Sequence, residues 1–292
     1  MNSSESHTEL SALINLIDEP DETIFLKIKE RIISYGNKAL PFLEDALESN
    51  LNQLPQRRIK VLLHKLRFDN VCVELSNWYL LGGANLFVAC MIIAKYQYPH
   101  VDENVIKEDL EKIKRDVWLE FNTELTALEK VKLINHILFD VHKFMGDRAN
   151  FHAPVNSYLN TVMESRRGNP LSLAIVYLLV ADLLEIPIYG VNLPEHFVLA
   201  YVDRLGVARN VAREKLDVLF YINPFSGGTT FSREEIDEFL KQIKIKAVPN
   251  FYQPCSNLEI IRRLLNNLIF AYDSAGNKIK AEELKMLLAI LK

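Results

Sequence analysis

The stretch from Gly168 to Pro187, GNPLSLAIVYLLVADLLEIP, constrains the chain more than any other. Asn169 is a good helix N-cap and Pro170 suits the first helical position, where a missing N–H costs nothing, so a helix begins between them. Ser172 is the only hydroxyl near that start. Two residues along an α-helix turn a side chain by about 200°, at about 100° per residue, so Ser172 points away from the side that Pro170 occupies. It reads as a small polar residue at N3 that helps satisfy first-turn amides.

Two apolar strands follow. After Pro194-Glu195, the segment HFVLAYV alternates with period two, placing Phe197, Leu199 and Tyr201 on one face and His196, Val198 and Ala200 on the other. A histidine at the mouth of a strand fits a general base, although a lone histidine is more often structural. The segment LFYINPFSGG is a strand ending at Asn223-Pro224 with a turn at Gly227-Gly228. Asn223 reads equally as a strand-ending turn residue and as a group that orients an imidazole.

This order of helix start, histidine strand and Asn-Pro strand resembles the core of the transglutaminase-like superfamily. There a Cys opens a buried helix, a His begins a later strand, and an Asp or Asn on the next strand orients that His. The family's helix reads Gly, any residue, Cys, two residues, an apolar residue, Ala, then ten residues and Gly-Ile-Pro. Gly168, Leu173, Ala174 and Ile186-Pro187 fall in step with it, and Pro170 stands in the nucleophile's slot. A Cys there would gain thiolate character from the helix dipole and a nearby His, and a proline gains none. Glu195 replaces the Gly of the usual Pro-Gly-His-Phe, and Asn223 replaces an Asp, keeping an acceptor but losing the charge. The resemblance implies an α+β fold that has lost its nucleophile, with His196 at the ancestral base position and Asn223 at the orienting position.

The chain has 292 residues, 49% of them apolar, enough for a large core in one large or two to three small domains. A net charge of −4 gives no electrostatic footprint for nucleic acid. The first ten residues, MNSSESHTEL, lack the charged-then-apolar organisation of a secretion signal, so a cytoplasmic protein is expected. The apolar run Leu86 to Ala94 is nine residues, far below the roughly 20 needed to cross a bilayer, and reads as a buried helix. Cys72, Cys90 and Cys255 are isolated and read as thiols in a reducing compartment. No cofactor is implied: there is no glycine-rich phosphate loop and no metal-ligand spacing, and His142 and His152 receive no role. Arg166-Arg167 reads as an exposed charge pair.

Three regions are expected: a helical domain over 1–118, a transglutaminase-like core with a small antiparallel sheet over 119–235, and a helical tail over 236–292. In the first, Ile24, Ile28 and Ile32 recur at i, i+4 and i+8 with a stop at Gly36, and the next helix carries Leu43, Ala46 and Leu47. Such pairs are similar to HEAT-type repeats, though too few to establish a solenoid. From Ser232 the chain turns helical again, with capping boxes at Ser232/Glu235 and Ser256/Glu259. Leu268, Tyr272, Gly276 and Ala281 match the first half of a tetratricopeptide (TPR) repeat, until Lys285 falls where an aromatic belongs. The whole order resembles a bacterial family of transglutaminase-like, TPR-containing regulators, some labelled regulators of invasion-gene expression.

Three functions follow as expectations. The first is a non-catalytic regulatory or protein-interaction module, whose old cleft holds a protein or peptide partner or a small metabolite. The second is a hydrolase or amide-transfer enzyme using Ser172, His196 and Asn223, or His196 as base for a bound water. The third is an assembly scaffold working through its helical ends.

Overall fold

The computed structural model describes residues 3–49, 52–122, 124–203 and 216–292. They form two compact units, Met1–Ser76 and Asn77–Lys292. No described helix is long and apolar enough to cross a membrane.

In the first unit, helices α1 (Ser3–Asn15), α2 (Glu22–Ser34) and α3 (Leu40–Ser49) lead into the long α4 (Gln53–Leu80). Its core is Leu10, Ile17, Phe25, Ile28, Ile32, Leu43 and Leu62 with their neighbours. One expectation is corrected here. Ile24 is 48% exposed, and the inward stripe is Phe25, Ile28 and Ile32. Asp21 caps α2 by accepting the Thr23 and Ile24 amides, and Phe25 takes the inward place beside Ile28 that Ile24 was expected to hold. The stop at Gly36 holds, with φ +56°.

The second unit is an α+β core around one buried helix. Helices α5 (Leu86–Gln97), α6 (Glu103–Glu120), α7 (Ala127–Asn135) and α8 (Leu159–Ser165) precede α9 (Pro170–Leu183), in which every residue from Pro170 to Ala181 is buried. A helix apolar all round has to sit inside the protein. It packs on α6, α8 and two strands of the sheet. Two-residue strands β1 (Met145–Gly146) and β2 (Arg167–Gly168) pair in parallel just before it.

Strands β3 (Ile188–Asn192), β4 (Phe197–Val202), β5 (Val218–Asn223) and β6 (Thr229–Phe231) form an antiparallel sheet in that order. Ile188 faces Tyr201, Leu199 faces Ile222, and Asn223 faces Thr229. Helix α10 (Arg233–Gln242) covers one face, where Val191, Val198, Ala200 and Tyr221 meet Ile236 and Leu240. The chain ends in a hairpin of α11 (Asn257–Ser274) and α12 (Lys278–Ile290), turned at Gly276. Both expected capping boxes are present.

The hairpin is tied to the core by a buried polar chain. The Tyr158 and Tyr272 hydroxyls lie 3.1 Å apart, Tyr272 donates to Gln97 at 3.1 Å, and Tyr96 donates to Glu283 at 2.7 Å. Arg166 departs from the expected exposed pair: its guanidinium meets Asp109 at 2.7 Å, and its residue ends α8 at φ +58°. Arg167 is exposed.

A second tie holds the turn between β5 and β6. Asn135 donates to the Gly228 carbonyl at 2.7 Å and accepts from the Tyr177 hydroxyl at 3.1 Å. Gly228 has φ +74°, and a Cβ there would lie 2.0 Å from Asn135 Oδ1. Gly228→Ala combines backbone strain with overpacking and is expected to cost about 2 kcal/mol or more in urea unfolding. An unchanged midpoint would contradict this packing.

Candidate functional site

The start of α9 closes on itself. The Asn169 side-chain oxygen accepts the Ser172 N–H and the Ser172 hydroxyl oxygen accepts the Asn169 N–H, both at 2.9 Å. Pro170 between them has no N–H to satisfy. Asn169 also donates from its side-chain nitrogen to the Ser157 hydroxyl at 2.9 Å. Asn169, Ser172 and Ser157 are all at most 5% exposed. Leaving any of their polar groups unpaired would cost about 1–3 kcal/mol, so the reciprocal bonds lock the turn. Gly168 is required beside it, because a Cβ there would lie 2.5 Å from the Ser172 hydroxyl oxygen.

The capping box has a chemical consequence for Ser172. Its oxygen accepts one bond and its proton reaches the Asn169 carbonyl at 3.2 Å. The hydroxyl is engaged in the helix start.

His196 stands just before β4, half-buried. Its ring centroid lies 5.9 Å from that of Phe239 on α10, on the side of the sheet where Val198 and Ala200 pack. Burial, and then the nearby Arg263 charge, hold its pKa below the ordinary 6.5. Asn223 begins a short 3-10 turn, and its side-chain oxygen accepts the Phe225 amide at 3.1 Å. Its carboxamide thus serves the turn at the end of β5. Pro170 and Ser172 open α9, Asn223 closes β5, and His196 turns toward α10.

Beside Pro170 lies a cavity of about 600 Å³ within the second unit. Asn169, Pro170 and Leu171 line it from α9, Glu195 and Phe197 from the β3–β4 turn and β4, and Arg263, Asn267 and Phe270 from α11. Phe151, His152 and Ser157 complete it. His196, Ser172 and Asn223 are not among its lining residues. A larger cavity, about 690 Å³, lies at the other end of α9, lined by Leu178, Leu179 and Ile186 among others.

Sequence reading missed most of this lining. Arg263, Asn267 and Phe270 stand at i, i+4 and i+7, a polar and aromatic stripe on a helix whose other face is core, and that spacing was a readable signal. His152 gave no such signal. Its ring packs edge-on to its sequence neighbour Phe151 at 4.8 Å and to Phe270, which only the fold brings near, at 5.2 Å. The Asp147 carboxylate pins this loop by accepting the Asn150 amide at 3.0 Å and the Asn156 side chain at 3.2 Å. Cys255 is buried near Arg263 but does not line the cavity, and burial pushes the Cys90 thiol up to about 12. Among the described residues no three His, Cys, Asp or Glu side chains converge as metal ligands would.

Glu195 lines the cavity with φ +58°, a left-handed conformation that a non-glycine residue adopts at a cost.

Comparison with known proteins agrees with this frame. The sequence profile described as the transglutaminase-like superfamily matches residues 104–266. A UPF0162 protein of Xylella fastidiosa (strain 9a5c) is 31% identical over 195 residues, which cover 64% of each chain. The UPF0162 protein YchA of Escherichia coli (strain K12) is 25% identical over 63% of each. F-box only protein 21 of Mus musculus is 29% identical over 47% of this chain and 21% of its own length. The chain thus spans under two thirds of the length of these curated relatives. No solved structure matches it significantly.

Two outcomes test the local account. Ser172→Ala strips the cap from a buried N–H and is expected to cost about 1–3 kcal/mol in chemical unfolding; a change within error would contradict the lock. His196 should titrate below 6.5 by NMR, because its folded pKa is depressed. Below pH 6.5 the unfolded chain takes up a proton that the fold refuses. The His196 contribution to stability is therefore whole above that pH and is lost as the pH falls through it toward the folded value. A midpoint at or above 6.5 would contradict the burial.

Proposed function

The chain belongs to the transglutaminase-like superfamily, and from that premise we propose that it is a non-catalytic member whose cleft binds a protein or peptide partner without covalent chemistry. One observation carries this reading. The helix turn that would present a nucleophile is instead a closed cap, with Pro170 at its first position and the Ser172 hydroxyl bonded at both ends to Asn169. Triad members act as a unit, so losing the nucleophile removes most of the rate and leaves only binding and oxyanion stabilisation. His196 packed toward Phe239 and Asn223 committed to the Phe225 amide point the same way. Both read as remnants of ancestral positions.

A cavity of this volume that Ser172, His196 and Asn223 do not line fits a binding role. Its walls are apolar and aromatic with a few convergent polar groups, the usual make-up of a ligand site. We read the α11–α12 hairpin as a TPR-like tail that supplies one of those walls, and the whole as a regulatory module.

Turnover of a panel of amide, ester and thioester substrates by the purified chain tests this, run beside His196→Ala and Ser172→Ala. The expected result is no turnover that either substitution lowers. Activity lost in both would make the protein a serine-based enzyme, and activity lost only with His196→Ala would make His196 the base for a bound water; either overturns the reading.

A further inference from the structure

Arg263 gives the cleft a defined chemistry. Its Nη1 donates to the Asn192 side-chain oxygen and to the Leu193 carbonyl, which anchors the guanidinium to the β3–β4 turn. Both Nη1 hydrogens are thereby used, and the Nε–Nη2 edge bonds no described residue. That edge is the one that grips a carboxylate side-on through two parallel bonds.

The guanidinium also lacks a counter-charge. Among the described residues no carboxylate forms an ion pair with it; its electrostatic neighbours are the Cys255 thiol and the His196 ring. It is half-buried, lining the cavity and lying 5.9 Å from the centre of the Phe197 ring. Burial pushes its pKa down, as expected for a cation with no partner. A cation partly withdrawn from water, and compensated only by two neutral acceptors and a ring face, carries a standing cost that an anion entering the cavity lowers.

The rest of the lining selects among anions. Phe151, Phe197, Phe270, Pro170 and Leu171 give an apolar body somewhere to rest. Phe151 and Phe270 are partly exposed, at 36% and 56%, so this aromatic wall is open to an incoming group. Glu195 at the cavity places a negative charge against a second charge on the ligand. One guanidinium opposed by one carboxylate suits a monoanion and disfavours a phosphate dianion.

We propose that the cleft binds a single carboxylate carried on an apolar or aromatic body, with the Arg263 guanidinium as its anchor and the Phe151–Phe270 side as its wall. This rests on the reading of the cleft as a non-covalent binding site. Two sources carry such a group: the free C-terminus of a peptide ending in an apolar residue, or a small free acid.

The experiment is a calorimetric titration of the full chain with five probes. These are 3-phenylpropionate, its amide, phenyl phosphate, and a tetrapeptide ending in Phe with its C-terminus free or amidated. Saturable binding of an acid is expected, with its amide at least about tenfold weaker, the usual worth of a charge-assisted bond. Arg263→Met should abolish the preference for acid over amide, and Glu195→Gln should tighten the acid. Tighter binding of the peptide acid assigns a chain terminus, and tighter binding of 3-phenylpropionate assigns a small acid; either supports the proposal. Equal binding of acid and amide, a preference that survives Arg263→Met, tighter binding of phenyl phosphate, or no saturable binding overturns it. The acid and amide comparison needs no variant, so a folding defect in Arg263→Met leaves the test intact. The turnover panel decides the non-catalytic reading separately: silence in both experiments removes Arg263 as anchor and leaves that reading standing.

Discussion

The cleft depends on the reciprocal bonds between Asn169 and Ser172 that begin α9. They satisfy two amides of buried residues, and Pro170 fits between them because that position needs no donor. The remaining donor of the Asn169 side chain reaches Ser157. The next residue, Tyr158, meets Tyr272 of the C-terminal hairpin, and the same helix of the hairpin carries Arg263. The geometry of the cavity follows from a chain of buried polar bonds that starts at one helix cap.

That cap decides what chemistry the cavity can hold. In the family pattern the first turn of this helix exposes a thiol to a base, and here each polar group of the turn is spent on structure. His196, its pKa lowered by burial and then by Arg263, lies against Phe239. The cavity is lined by a guanidinium with one edge free, several aromatic rings including that of His152, the polar residues Ser157, Asn169 and Asn267, and Glu195, whose backbone stands at positive φ. Such a set fits the proposed binding role, and Ser172, His196 and Asn223 are not part of it.

Much of the frame was legible in the sequence because it rests on local rules. Asn169-Pro170, Ser232/Glu235 and Ser256/Glu259 announce helix starts through bonds made within four residues, and all three starts form. Two strands were legible there too, HFVLAYV from alternation and the apolar LFYIN, and both form, apart from His196, which precedes β4. The two-residue strands β1 and β2 were invisible, since their pairing joins residues over twenty apart with no apolar pattern. Ile24 misled because Ile24 at i−4 and Phe25 at i−3 both share a stripe with Ile28, and packing selects Phe25. At the site, the helix start was read correctly, while the lining contributed by His152, Arg263 and Phe270 arises from segments more than a hundred residues apart. Alternation did place His196 with Val198 and Ala200, and only the fold shows that α10 covers that face.

The central claim is that the α9 turn and His196 no longer form a reactive pair, and restoring the thiol tests it most directly. The measurement is the pH dependence of alkylation at the thiol introduced by Pro170→Cys, followed by peptide mass spectrometry, with and without His196→Ala. If His196 is directed at Phe239, the thiol pKa is lowered only by the helix dipole and is the same in both proteins. A lower pKa that rises when His196 is removed would show the imidazole facing the turn, and would contradict this account.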